Sequence, residues 1–214
     1  MPCVIDASLV APRARGFVLC LVGPDGAGKS TLAKTLVETL RARSIEVVHS
    51  YWRPGLLPMP GQLLGRPAPG LVTDPHGRPA HGRLKASLRL VHYFVDFVLG
   101  YWLVYRPVLR RGGIVIVERG WQDLLVDPRR YLLPFRAPVS VLTRFVPKPD
   151  FVAILSAPSD ELYRRKQEIE TSEMDRQLAV WKSTARARQG VLELDAKLTP
   201  DELADRVLRD LRPA

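Results

Sequence analysis

Gly23-Pro24-Asp25-Gly26-Ala27-Gly28-Lys29-Ser30 sets two glycines, a lysine and a hydroxyl in the spacing G-x-x-x-x-G-K-[ST], the Walker A pattern. Glycines let a backbone fold into a concavity whose N–H groups converge on phosphate oxygens. A lysine in this place reaches the β- and γ-phosphates of a bound nucleotide, and the following hydroxyl meets Mg²⁺. Gly23, Asp25, Gly26, Ala27, Gly28, Lys29, Ser30 and Thr31 are therefore the candidate nucleotide residues, with ATP and Mg²⁺ as expected cofactors. Farther on, Glu118 closes an apolar run, where a carboxylate can orient a magnesium-bound water or an attacking group; the plain alternative is a strand-end acid paired with Arg119. The four histidines, His49, His76, His81 and His92, have no metal-ligand spacing.

These groups need elements to position them. An apolar run at 17–22 precedes the glycine loop, and Leu32 to Arg43 continues with helical spacing. A strand over Ile45–Ser50 follows. Residues 54–82 hold 7 Pro and 6 Gly among 29 positions, too many for regular structure, so they read as a long loop of the kind that serves as a lid or binding segment. Then come a helix over about 83–110, a strand at Ile114–Val117, and an irregular segment rich in Pro and Arg. A strand at Phe151–Leu155, a charged helix over about 159–188, a strand at Val191–Leu194 and a helix over about 200–211 complete the pattern. Strands alternating with helices predict an α/β fold: a parallel sheet covered on both faces. The expected organisation is an N-terminal extension (1–16) and one domain (17–214).

The chain has 214 residues, 46% hydrophobic and 25% charged, which excludes disorder and a disulfide-stapled miniprotein. Its 32 Lys+Arg against 22 Asp+Glu leave +10, and 25 of the bases are arginine, the side chain that grips phosphate and carboxylate with a planar fork. The bases are scattered, and no nucleic-acid module is evident, so no nucleic-acid partner is expected. Cys3 and Cys20 cannot make a disulfide framework and are read as reduced structural residues, in keeping with a cytoplasmic location. Leu88 to Tyr105 is the most apolar stretch, but Arg89, His92 and Asp96 interrupt it, and it is read as a buried helix rather than a membrane span. The chain contains no asparagine and so no N-K-x-D guanine-reading motif; its size suits a small phosphotransferase.

From about 17 to 211 the sequence resembles the thymidylate kinase family of P-loop nucleoside-monophosphate kinases. GPDGAGKST resembles that family's acidic phosphate loop, with Asp25 as the acid. Arg53-Pro54-Gly55 resembles its Arg-Glu-Pro-Gly segment, and Asp96, Pro107, Gly112 and Ile114 to Arg119 resemble its helix and the strand ending in Asp-Arg-Tyr. LSAPSDELYRR (155–165) resembles the approach to the lid, and Leu194-Asp195-Ala196 the closing Asp-Ala near adenine. RPGLLP, DPHGRP, DLLVDPRRY and PKPD are similar to a divergent branch encoded among bacterial polysaccharide genes.

The resemblance implies a P-loop kinase fold with a five-stranded parallel sheet and a helical lid at about 164–180, a 54–82 loop on the substrate side, and a homodimer. It implies that Asp195 lies near adenine, that Arg119 binds an acceptor's anionic group and that Asp25 accepts from an acceptor hydroxyl. Arg53, Asp96, Phe97, Asp123, Arg129 and Arg130 are the further candidates for contact with a small-molecule phosphate acceptor. Gly26 stands where some relatives carry a catalytic arginine, a loss that relatives make good from the lid; Arg165 and Arg176 are the choices here. The family's base-reading Asp-Arg is Asp96-Phe97 in this chain, and Asp-Arg-Tyr is Glu118-Arg119-Gly120. The acceptor is thus either a dTMP-like nucleoside monophosphate or a sugar or glycan precursor. A catalytically inactive nucleotide-binding or polyanion-binding protein is the alternative of another class.

Overall fold

The computed structural model describes residues 15–59, 62, 79–165, 170–186 and 190–211. Cys3, most of the expected extension and positions 63–78 of the expected loop lie outside them. Strands β1 (Phe17–Val22), β2 (Val47–Ser50), β3 (Ile114–Glu118), β4 (Phe151–Ser156) and β5 (Val191–Asp195) form one sheet in the order β2-β3-β1-β4-β5. Every pairing is parallel, as the βαβ alternation predicts. β1 and β3 are buried along their whole length, which is why FVLCLV reads as a continuous apolar run and IVIVE as one up to its terminal acid.

Period-two alternation sorts their side chains. Ile114 and Ile116 join Leu19 and Leu21 in a cluster under helices α1 (Lys29–Ala42) and α8 (Pro200–Asp210). Val115 and Val117 pack on the other face with Val18, Tyr105, Val108 and Leu109. Leu32, Leu36 and Leu40 are the buried stripe of α1, each worth about 1.5–3 kcal/mol of apolar transfer. Thr199 and Glu202 cap α8 reciprocally, with Pro200 at its first turn.

The expected 83–110 helix is continuous but not uniform. α2 (Arg83–Gly100) widens into a π turn at Tyr101–Tyr105 before α3 (Arg106–Arg110). Pro107 has no N–H to give and its ring crowds the preceding turn, which accounts for the widening. The segment is also less buried than its composition suggests. Ala86, Leu90, Tyr93, Asp96 and Phe97 face inward, while Leu84, Leu88, Val91, Leu99, Trp102 and Leu103 are exposed. Arg83–Arg110 is long and apolar enough to cross a membrane by length and composition, yet its Asp96 is folded fully into the protein.

Two further expectations change. The Pro- and Arg-rich segment carries the short helices α4 (Asp123–Val126) and α5 (Ala137–Leu142). The charged helix is two, α6 (Ser159–Arg165) and α7 (Thr171–Arg186), with 166–169 outside the described residues.

Candidate functional site

The glycine loop leaves the carboxyl end of β1, where open α/β sheets bind ligands. Gly23 has φ +143°, and a Cβ there would lie 2.4 Å from the Leu155 carbonyl oxygen. Gly28 is left-handed at φ +85° and turns the chain into α1 without a side-chain cap. The helix therefore begins at Lys29, three residues before the apolar periodicity, and its first amides are left for an anion. Buried Lys29 donates from Nζ to the carbonyls of Gly23 (2.9 Å) and Pro24 (2.7 Å). Burial, and then the charge of Arg119, pull its pKa down to about 7 against the attraction of Asp25.

Ser30 Oγ donates to Glu118 Oε2 at 2.5 Å, and His49 Nε2 lies 2.9 Å from Glu118 Oε1. A hydroxyl and a carboxylate side by side are hard oxygen donors suited to Mg²⁺, and these two residues are the ones that would hold it. The pairing brings together residues 88 positions apart that the sequence nominated separately. His49 was not nominated.

Opposite this loop, β3 is followed by Arg119, a non-glycine residue at φ +73°, a conformation that tends to persist at functional turns. Gly120 follows at φ +61°, a backbone conformation that favours glycine, and a Cβ there would sit 3.0 Å from Cys20 Sγ, a tight contact. The turn directs Arg119 Nη2 to Asp25 Oδ1, while Arg130 Nη2 binds Asp25 Oδ2. Arg119 Nη1 is 3.6 Å from Asp123 Oδ2, which accepts from Tyr131 Oη at 2.6 Å. Arg130 Nε reaches Asp127 at 3.3 Å. Burial alone would raise the Asp25 pKa, but Arg119, Lys29 and Arg130 outweigh it and hold the carboxyl well below its usual range. Asp123 moves the other way, raised by burial against the pull of Arg119. Arg119 Nε and Trp52 Nε1 are buried without a hydrogen-bond partner among the described residues. Trp52 stacks on Tyr131 at 4.5 Å and meets Phe97 edge-on at 5.9 Å, so its indole belongs to the same cluster.

Arg53 is held by Asp96. The Asp96 carboxylate accepts from Arg53 Nη1 (2.7 Å) and from the backbone N–H groups of Gly55 (3.1 Å) and Leu57 (2.6 Å), pinning the start of the 54–82 segment. Gly100 permits this docking, since a Cβ there would lie 2.3 Å from Pro54 Cβ. Phe97 is buried between Trp52 and Trp121. Arg129 is exposed.

The two lid candidates are placed apart. Arg165 donates to the Ala196 carbonyl (2.8 Å) and to Glu161, beside Asp195. Arg176 binds Glu173 and the Val126 carbonyl (2.6 Å), next to Asp127 of the arginine–carboxylate cluster. Neither has a described hydrogen bond to the phosphate loop. Asp195 is exposed, accepts from Lys197 N at 3.0 Å and lines an open groove of about 590 Å³ with Ser159, Asp175, Lys182 and Arg206. Ala27 is buried under the loop and Thr31 is exposed one residue beyond Ser30.

No protein-family model matches the sequence. Among curated proteins, a thymidylate kinase of Xanthomonas oryzae pv. oryzae is 31% identical over 143 residues, covering 67% of this chain and 57% of the relative. One from Pseudomonas fluorescens is 35% identical over 104 residues, covering 49% and 45%. One from Enterococcus faecalis is 26% identical over 168 residues, covering 76% and 74%. The chain spans 57% of the length of the Xanthomonas proteins it matches. With the parallel P-loop sheet, these similarities make the chain a divergent relative of the thymidylate kinases.

Proposed function

We propose that this protein is an ATP-dependent phosphotransferase that moves the γ-phosphate of Mg-ATP to a small acceptor seated over Asp25, Arg119 and Arg130. The observation that carries this reading is the meeting of Lys29, Ser30 and Glu118 at one loop, with Asp25 of the same loop facing the arginine cluster. Lys29 exchanges its two carbonyl partners for phosphate oxygens and brings positive charge to the transferring group. Ser30 and Glu118 would hold a magnesium ion, which would supply charge neutralisation to the nucleotide phosphates. Asp25, kept ionised by its arginines, accepts a hydrogen bond from an acceptor hydroxyl and orients it. The orphaned donors Arg119 Nε and Trp52 Nε1 suit an acceptor rich in oxygen atoms. Arg165 and Arg176 belong to the lid in this reading, closing from the Ala196 side and the Val126 side.

A nucleoside monophosphate of the dTMP kind is the first acceptor, supported by the relatives. A second reading, a sugar or glycan-precursor acceptor, has its own observation. The cleft arginines Arg53, Arg119 and Arg130 are already engaged by Asp96, Asp25, Asp123 and Asp127, so a phosphate dianion would have to compete with carboxylates. The reading extends to a homodimer: the exposed stripe Leu84, Leu88, Val91, Leu99 and Leu103 gives a second copy an apolar helix face to cover.

ADP release from Mg-ATP, measured in parallel with dTMP, other nucleoside monophosphates, sugar phosphates and unphosphorylated sugars, tests the function. Turnover on dTMP at about 1–100 s⁻¹ supports the first reading. Turnover confined to sugars or their derivatives supports the second. Absence of acceptor-dependent ADP release across the panel, with Mg-ATP bound, contradicts both.

A further inference from the structure

His49 stands outside the Walker A pattern and outside every motif that the sequence singled out, yet it touches the carboxylate most central to the donor side. The reason lies in the register of the sheet. Val47 pairs with Ile114 and His49 with Ile116, so Val47, His49, Ile114, Ile116 and Glu118 all point to the α1 face. Glu118 lies two residues beyond the partner of His49, about 6.6 Å along the strand, a diagonal step that an imidazole spans. The result is the 2.9 Å contact between His49 Nε2 and Glu118 Oε1. A carboxylate oxygen accepts and does not donate, so Nε2 carries the proton.

Glu118 is 1% exposed, and both of its oxygens are engaged: Oε2 by the Ser30 hydroxyl and Oε1 by His49. The two contacts come from different elements, α1 and β2, and together fix the plane of the carboxylate. A glutamate needs this more than an aspartate would, because its extra methylene adds a torsion that must be frozen before the group is in place. His49 is itself exposed, with its side chain 34% accessible near the end of an edge strand; burial of its own ring therefore supplies little reason for a histidine here.

We propose that His49 is a positioning residue for Glu118, holding the carboxylate in the orientation in which, with Ser30, it meets the magnesium-bound nucleotide. The proposal rests on the phosphotransferase reading for its consequence, but its contact can be tested without substrate. A group that orients a metal-binding side chain from behind is worth about 10- to 100-fold in activity or metal affinity.

Long-range ¹H–¹⁵N spectra of the metal-free, nucleotide-free protein should show His49 in the Nε2–H tautomer, and Glu118→Ala should release that preference. A His49 signal indifferent to Glu118→Ala would overturn the contact. In steady-state ADP release, His49→Ala should lower kcat about 10- to 100-fold with the ATP KM nearly unchanged, and His49→Gln, which keeps an N–H donor, should recover part of it. In a Glu118→Asp background His49→Ala should cost much less, because the shorter side chain cannot use the imidazole. Full kcat in His49→Ala, or equal losses in both backgrounds, would overturn the positioning role. If the wild type itself turns over no acceptor while the tautomer responds as expected, the functional reading fails and the positioning role fails with it; the contact alone survives.

Discussion

The two halves of the cleft, its donor and acceptor sides in the proposed reading, treat their charges differently. On the donor side Lys29 touches carbonyl oxygens of its own loop, partners that a phosphate can replace at little cost. On the acceptor side Arg119 and Arg130 grip Asp25, and Asp123, Asp127 and Tyr131 tie the arginines down again. The donor side is a local loop waiting for an anion. The acceptor side is a network closed by long-range partners, and any ligand must enter on its terms. Asp25 belongs to both, with its backbone in the loop and its carboxylate in the network.

If the donor loop works as a displaceable anion site, Lys29→Ala should lose about 10²–10³-fold or more in kcat while the thermal midpoint holds. A midpoint that collapses with the activity would make Lys29 structural and erase the contrast. On the acceptor side the sign reverses, and stability should respond. Arg119→Ala leaves Asp25 and Asp123 buried with less positive charge and should cost about 3–5 kcal/mol in urea unfolding. Adding Asp25→Asn should return part of that loss; strict additivity would show that the pair is not coupled.

The pH dependence of stability sharpens the same point. The folded Asp25 carboxyl titrates below its unfolded value of 3.8, so its contribution is complete above that value and is lost as pH falls from about 4 downward. Acid unfolding of the wild type should therefore be steeper below pH 4 than that of Asp25→Asn. Equal slopes would mean that the arginines do not hold the carboxylate. Asp96→Asn, which weakens the anchor of Arg53, Gly55 and Leu57, should cost about 1–3 kcal/mol, the smallest effect of the set.

This contrast also explains what the sequence could tell. The donor loop is contiguous, and Gly23 to Ser30 names its own geometry; the parallel sheet follows from apolar runs such as 17–22 and 114–117 alternating with helical spacing. Glu118 was legible as the acid that ends an apolar strand. His49 was not, because its role depends on β2–β3 register, and a strand residue gives no sign of which neighbour lies diagonally across. Asp96 read as an acceptor contact, whereas its described bonds clamp a loop through partners some 40 residues away. Arg130 was named within a pair of arginines, and only tertiary structure separates it, bound to Asp25, from exposed Arg129. Two helices rather than one were not legible in the charged stretch, which has no glycine or proline between Arg165 and Thr171.

The central claim is that Asp25 serves the acceptor while Lys29 serves the donor, and Asp25→Asn tests it most directly. Initial rates of ADP release should show the acceptor KM raised about tenfold or more, the loss of one hydrogen bond to a charged group, with the Mg-ATP KM nearly unchanged. An unaltered acceptor KM with weakened Mg-ATP binding would contradict the account and return Asp25 to the nucleotide side.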